Sequence, residues 1–430
     1  MIASSSNSFA IGRASQYLLA VIGLVACLVG FWVAARIGSA RLLGVYGATS
    51  NALPAAQTAV QSNGFDPENY TMLSRALQNA GQVAATIPAL ERATILQPRN
   101  FSLWMELGGN YDLAGKPEEA MAAVRRAIQN APYYAQPRWQ LGNLLLRQRR
   151  IDEAFTEFRQ AVNSDASFMP NAADLAWGAY NGNALAIEKT LQPTTAVARL
   201  ALANVFARRG AFDDALRLFR SLPEHAPELQ NERETLLAEL MNAKRYAEAR
   251  EVWAVDHLSG TGQQPNRVAT IIDGGFEQGL NLTETRFGWR LNPEKPFVTV
   301  TPDINAPFAG TSSLQVHWEG KSSPSVYTAA QLVLVEPGKR YRLSYAARTH
   351  DVITGGVPEV AVLSDFEGQV LAANSLPQGT TNWQSYTLEL TTPVQNRIVL
   401  LVIRRKPCQS LPCPAFGTAW FDSFTFQTIS

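Results

Sequence analysis

The chain has 430 residues, too many for one ordinary domain and enough for two or three. Its 37 Lys and Arg against 36 Asp and Glu give a formal charge of +1, which excludes a nucleic-acid binder held by bulk charge and an acid-rich disordered chain. Three cysteines exclude a dense disulfide scaffold and a four-cysteine zinc site, and the four histidines, His225, His257, His317 and His350, show no metal-ligand spacing.

The first element is an uncharged run over 14–35, almost wholly apolar from Tyr17 onward. As a helix it rises roughly 33 Å, enough to cross a hydrocarbon core of about 30 Å. A cleaved signal peptide usually has an apolar core of only about 7–15 residues. Phe31-Trp32 also stands where an interfacial aromatic belt would lie. The expectation is an uncleaved membrane anchor, with a tail over 1–13 before it and a linker over 36–66 after it. Flanking charge does not orient it, since Arg13 lies on one side and Arg36 and Arg41 on the other. Cys408 and Cys413 enclose a Pro-rich loop (Pro407, Pro412, Pro414); they can close as a disulfide in an oxidising compartment and stay thiols in the cytosol. The bulk of the chain is therefore expected outside the cytoplasm.

From 67 to 258 the pattern repeats. With Phe101 as position 1, Trp104, Leu107, Gly108, Tyr111, Ala120, Ala127 and Pro132 fall at positions 4, 7, 8, 11, 20, 27 and 32. Small residues at positions 8 and 20 let two helices approach closely, and the proline ends the second helix. This spacing resembles the tetratricopeptide (TPR) repeat, with further units starting at Pro67, Ala135, Ala196 and Gln230 and a degenerate stretch over 169–195. The resemblance implies a helical solenoid whose concave groove docks a protein partner. Asn143 and Arg147 recur as Asn204 and Arg208, each pair four residues apart on one helix face. An amide can bond a peptide backbone while a guanidinium meets a carboxylate, as in TPR carboxylate clamps. With Arg75, these residues form the expected groove.

After a linker over 259–266, marked by Gly260-Thr261-Gly262, short alternating runs separated by turn residues begin. The runs include Arg267–Ile272, Ser313–Glu319, Gln331–Val335, Arg340–Arg348 and Ala419–Ile429. Eight to ten strands over 267–430 predict an antiparallel β-sandwich. Asp273-Gly274-Gly275-Phe276-Glu277, Phe287-Gly288-Trp289, Trp383-Gln384-Ser385-Tyr386 and Trp420-Phe421-Asp422 resemble non-catalytic carbohydrate-binding jelly rolls. That resemblance implies core positions for Trp289, Trp383 and Trp420, and a structural calcium ion at Glu277 and Asp422. Alternation turns Tyr341, Leu343, Tyr345, Leu314 and Val316 inward, and Gln315, His317 and Arg342 outward. Trp318 shares the inward side, so Tyr327 is the expected aromatic partner of Gln315, His317 and Arg342 in glycan binding.

No nucleotide-binding loop, zinc-protease motif or nucleophile elbow occurs, so no catalytic residue is expected. Anchor, repeats and sandwich together are similar to exported bacterial TPR proteins of envelope and exopolysaccharide systems. The expected function is a non-enzymatic scaffold in the periplasm, contacting a protein through its groove and a glycan through its sandwich. The alternative is a subunit or assembly factor of a membrane complex, with the sandwich as a protein-docking module.

Overall fold

The computed structural model describes residues 17–223, 226–258, 267–279, 286–324, 326–364, 368–408 and 413–429, and the backbone of 13–16. The expected tail before Arg13, the linker over 259–266, His225 and Pro412 lie outside the described residues. The chain divides into two compact units, Met1–Val205 and Phe206–Ser430.

The first unit is helical. It contains α1 (Arg13–Thr49), α2 (Leu53–Ser62), α3 (Pro67–Asn79), α4 (Val83–Leu96), α5 (Phe101–Leu113), α6 (Pro117–Asn130), α7 (Ala135–Arg147), α8 (Ile151–Ser164), α9 (Met169–Ala179), α10 (Ala184–Leu191) and most of α11 (Ala196–Arg208). Tyr17–Thr49 is long and apolar enough to cross a membrane or to serve as a signal sequence. Residues 17–39 are exposed, and packing begins at Ala40.

The structure corrects the expected linker over 36–66. α1 continues to Thr49 and folds against α2 as a helical hairpin, burying Ala40, Ala48, Ala56 and Ala59. A Cβ at Gly47 would lie 2.6 Å from the Ala56 nitrogen, so only glycine admits this approach. Arg41 pairs with Asp66 at 2.6 Å, and Asp66 also caps α3 by accepting from the Glu68 amide. Small residues at the contact, Gly47 and Ala56 above all, are what let the hairpin close.

The repeats pair as α3–α4, α5–α6 and α7–α8. Their glycines are required by contact: a Cβ at Gly108 would lie 2.6 Å from Val124 Cγ2, and one at Gly142 2.5 Å from the Phe158 ring. Ala120 and Ala127 are fully buried, and Leu90, Leu107 and Ala123 form a small core against Trp104 and Tyr111. The degenerate stretch still makes a hairpin, but α10 is only eight residues long and stops at Gln192 in the left-handed region.

The second unit holds the end of α11, α12 (Phe212–Arg220), α13 (Gln230–Asn242), α14 (Tyr246–His257) and the sandwich. The strands are β1 (Arg290–Leu291), β2 (Val298–Asp303), β3 (Ser313–Gly320), β4 (Ala329–Leu334), β5 (Arg340–Thr354), β6 (Pro358–Ser364), β7 (Val370–Ser375), β8 (Gly379–Thr391), β9 (Ile398–Arg405) and β10 (Ala415–Ile429). They form two five-stranded antiparallel sheets, ordered β1-β4-β9-β6-β7 and β2-β3-β10-β5-β8. Leu314, Val316, Trp318, Tyr341, Leu343 and Phe421 of one sheet pack against Val333, Val360, Val362, Val399 and Leu401 of the other. This is the sandwich that the alternating runs imply. Residues 267–272, expected as a strand, form turns instead: Ala269 has φ 57°, and the backbone of Ile272 bonds twice to the buried Gln331 amide.

Candidate functional site

Strand alternation places a row of side chains across the outer face of the β2-β3-β10-β5-β8 sheet. In β10, Ala419 and Phe421 face the core, which turns Trp420 outward. Trp420 stands opposite Gln315 of β3 on one side and Arg348 of β5 on the other, and Gln315 stands opposite Thr301 of β2. The Arg348 guanidinium lies 4.2 Å from the Trp420 ring centroid and 5.2 Å from that of Trp383 on β8. Both indoles are half-buried rather than core.

Each ring is fixed by its N–H. Trp420 Nε1 donates to Asp303 Oδ2 at 2.6 Å, and Trp383 Nε1 donates to the Ala306 carbonyl at 3.0 Å. Burial pushes the Asp303 carboxyl up, but hydrogen bonds from Asn305 and Trp420, with the charge of Arg348, hold it below the usual carboxylate range. Thr301 donates to Gln315 Oε1 at 3.1 Å. In the neighbouring row, His317 Nδ1 lies 2.9 Å from Thr418 Oγ1, and His350 stands opposite Thr418. The Phe308 ring, 5.8 Å from Trp383, extends the apolar surface. Two fixed indoles, a stacked guanidinium, an amide and an imidazole on one face can stack on a ring and hydrogen-bond its substituents.

The structure corrects the expected glycan set in three places. Trp383 and Trp420 are not core residues; of the three tryptophans, Trp289 alone belongs to the inter-sheet core. Tyr327 packs beside Ala330, Ala361, Leu363 and Val402 on the outer face of the opposite sheet, so it cannot join Gln315 and His317. Arg342 lies six residues along β5 from Arg348, roughly 20 Å away, where it pairs with Glu389 at 2.6 Å. Hydrogen bonding from Arg342 holds the Glu389 carboxyl below its ordinary range.

Glu277 and Asp422 do converge, both within 4 Å of where a Cβ at Gly275 would lie. Both Glu277 oxygens accept from the Thr311 amide at 3.0 Å. The fully buried Asp422 accepts the Phe308 and Ala309 amides on Oδ2 and the Ser423 amide on Oδ1. Calcium takes about six to eight oxygens; N–H donors occupy these carboxylates, so the arrangement does not fit the ion and works as a clamp on the 308–311 loop. Among the described residues no group of three or more His, Cys, Asp or Glu side chains gathers for a metal. Cys408 and Cys413 are joined as a disulfide.

In the repeats, Arg147 Nη2 reaches back 35 residues to Asp112 at 2.5 Å, and Asn143 donates to the Trp139 carbonyl of its own helix. Arg75 is exposed on α3, and its charge reaches Glu106 on α5. Burial nevertheless raises the Glu106 carboxyl above its ordinary value. On α11 Asn204 is 8% exposed and Arg208 is exposed, much as Asn143 is half-buried and Arg147 exposed on α7. Arg208 also falls in the second unit.

A helical-repeat array of TPR type carrying an antiparallel β-sandwich is thus the class that the fold defines. A tetratricopeptide repeat family model matches residues 71–135. Human DnaJ homolog subfamily C member 3 is 28% identical over 102 residues, which is 24% of this chain. The chain spans only 20% of that relative's length, and the bovine protein aligns in the same proportions. Among solved structures, MamA 41-end from Desulfovibrio magneticus RS-1 covers 43% of this chain and 92% of its own, at 15% identity and TM-score 0.29. A structure described as "CBM4 structure and function" covers 37% and 100%, at 14% identity and TM-score 0.29. Family 16 Carbohydrate Binding Module-2 covers 36% and 98%, at 18% identity and TM-score 0.26. Scores this low carry no functional weight.

Proposed function

We propose that the chain is a membrane-anchored, non-enzymatic adaptor of a bacterial envelope, with its bulk outside the cytoplasm, holding a protein partner on its repeats and a glycan on its sandwich. The observation that carries the glycan half is the outward row of Gln315, Trp420, Arg348 and Trp383. Aromatic faces bind the apolar side of a sugar ring, and the adjoining amide and guanidinium supply donors for its hydroxyls or acid groups. The α1 apolar segment supports the anchor, and the repeats support protein docking, the general use of their fold.

The test is retention of full-length protein on affinity gels cast with bacterial exopolysaccharides, comparing wild type with Trp420→Ala and Trp383→Ala. Retention of wild type and its loss in both variants is expected; unchanged migration of wild type on every glycan overturns this half. The second reading, a sandwich that docks protein, is favoured by Arg348, which already covers part of both indoles. In that case the two variants release a protein from membrane extract and no glycan is bound.

A further inference from the structure

The disulfide lies at one end of the sandwich, and its two sulfurs are not equivalent. Cys408 is half-buried, whereas Cys413 is 7% exposed and lies against Arg405. Arg405 is itself 2% exposed. Its Nη2 donates to Cys413 Sγ at 2.9 Å and to the Cys413 carbonyl at 2.8 Å. The same nitrogen also reaches Thr354 Oγ1 and the Pro414 carbonyl, Nη1 donates to the Ser322 carbonyl and hydroxyl, and Nε donates to the Gly356 carbonyl. Every one of these acceptors is neutral. Burial accordingly pushes the guanidinium below its ordinary value, with the charge of Glu294 opposing. The turn below is fitted to the sulfurs, since a Cβ at Gly356 would lie 2.8 Å from Cys408 Sγ and 3.3 Å from Cys413 Sγ.

The hydrogen-bond shell of this buried cation contains no anion, and the charge of Glu294, which makes no hydrogen bond to it, offsets its desolvation only in part. Breaking the disulfide would create an anion within that shell. A thiolate beside an arginine is stabilised, and a stabilised thiolate is the better leaving group in exchange.

We propose that Cys408–Cys413 is a thiol–disulfide exchange site for a dithiol reductant, attacked at Cys408 and releasing Cys413 as a thiolate held by Arg405. The incoming thiolate forms an S–S bond with Cys408 Sγ while the Cys408–Cys413 bond breaks, its electron pair leaving on Cys413 Sγ. The second thiolate of the reductant then attacks its own sulfur in the mixed disulfide and frees Cys408, which takes a proton from solvent. The reductant loses two electrons and two protons and becomes a disulfide. The protein gains the two electrons and one proton, and the other proton passes to solvent.

Two measurements on the full-length chain decide it. Acid-quenched reaction with reduced glutathione, followed by peptide mapping, should place the mixed disulfide on Cys408 at least tenfold over Cys413. Ultraviolet thiolate absorbance of Cys408→Ser, referenced to Cys408→Ser/Cys413→Ser, gives the ionised fraction of Cys413. At a pH about one unit below the ordinary cysteine value a free thiol is roughly one-tenth thiolate; Cys413 should be more than half. Arg405→Gln should return that fraction to about one-tenth, but neither of the first two readouts needs this variant to fold. An adduct on Cys413, an equal split, or a thiolate fraction near one-tenth in Cys408→Ser overturns the proposal.

Discussion

The helices of the first unit and the sandwich of the second solve packing over different distances along the chain. Between repeats, Asn130 bonds the Pro98 carbonyl across 32 residues, and Gln140 bonds the Met105 carbonyl across 35. In the sandwich, Trp420 bonds Asp303 across 117 residues and the Phe308 amide bonds Asp422 across 114. A repeat therefore rests on its neighbours alone, and local damage such as the shortened α10 is absorbed. A sandwich site exists only once strands from both ends of the domain have met. Chemistry on the sandwich face should accordingly be lost all at once, and stability in the repeats in small steps.

The largest effect expected from this contrast is at Asp422. Asp422→Ala removes the acceptor of the Phe308, Ala309 and Ser423 amides. With hydrogen bonds to a charged group worth about 1.5–3 kcal/mol each, losing all three costs about 4.5–9 kcal/mol, less whatever water restores to the freed amides. Denaturant unfolding followed by tryptophan fluorescence measures it, and chelating divalent cations should leave the wild-type midpoint unchanged. A midpoint that falls on chelation would return calcium to this site.

Gly108→Leu should cost less, roughly 1–3 kcal/mol, because overpacking against Val124 is shared with adjoining repeats. Far-ultraviolet circular dichroism on heating reports it, and an unchanged melt would break the repeat register.

Glu106→Gln probes the half-buried carboxyl raised by burial. An acid whose folded-state value lies above its unfolded one binds more protons when folded, so stability falls as pH rises from the unfolded value through the folded one. The variant should therefore melt higher than wild type at pH 7, and the difference should close below the ordinary glutamate value of 4.5. The smallest effect is at Arg147→Ala. An exposed ion pair such as Arg147–Asp112 contributes about 0–1 kcal/mol and is screened by salt. A larger change in the melt would show that the repeats depend on this bridge.

The repeat register was legible because the required residues recur within each unit. Gly108 and Gly142 mark positions where any Cβ would collide, and that constraint shows directly in composition. The α1–α2 hairpin was not legible as a repeat, since Ala40, Ala48, Ala56 and Ala59 carry no aromatic marker. On the sandwich, alternation correctly turned Gln315 and His317 outward, and it also contained the placement of the tryptophans. Ala419 and Phe421 are in phase with the core, as are Leu388 and Leu390, which leaves Trp420 and Trp383 out of phase. The resemblance that implies core positions for Trp383 and Trp420 runs against this phase. What no single strand could show was membership of a sheet: Tyr327 and Arg342 read as equal candidates until topology put one on the opposite sheet and the other far along β5.

The continuity of α1 bears on how an anchored chain would be steered. Thirty-seven residues without a break make a rod of about 55 Å. Its far end is bolted at two levels, by Arg36 to the Ser62 carbonyl at the end of α2 and by Arg41 to Asp66, the cap of the first repeat. A flexible tether would let its cargo wander through a volume around the point of attachment. A bolted mast does the opposite: a change of tilt in the apolar half swings the first repeats through the same angle, and a turn about its axis carries them round with it. Bilayer thickness and lipid order would then set the heading of the first repeats.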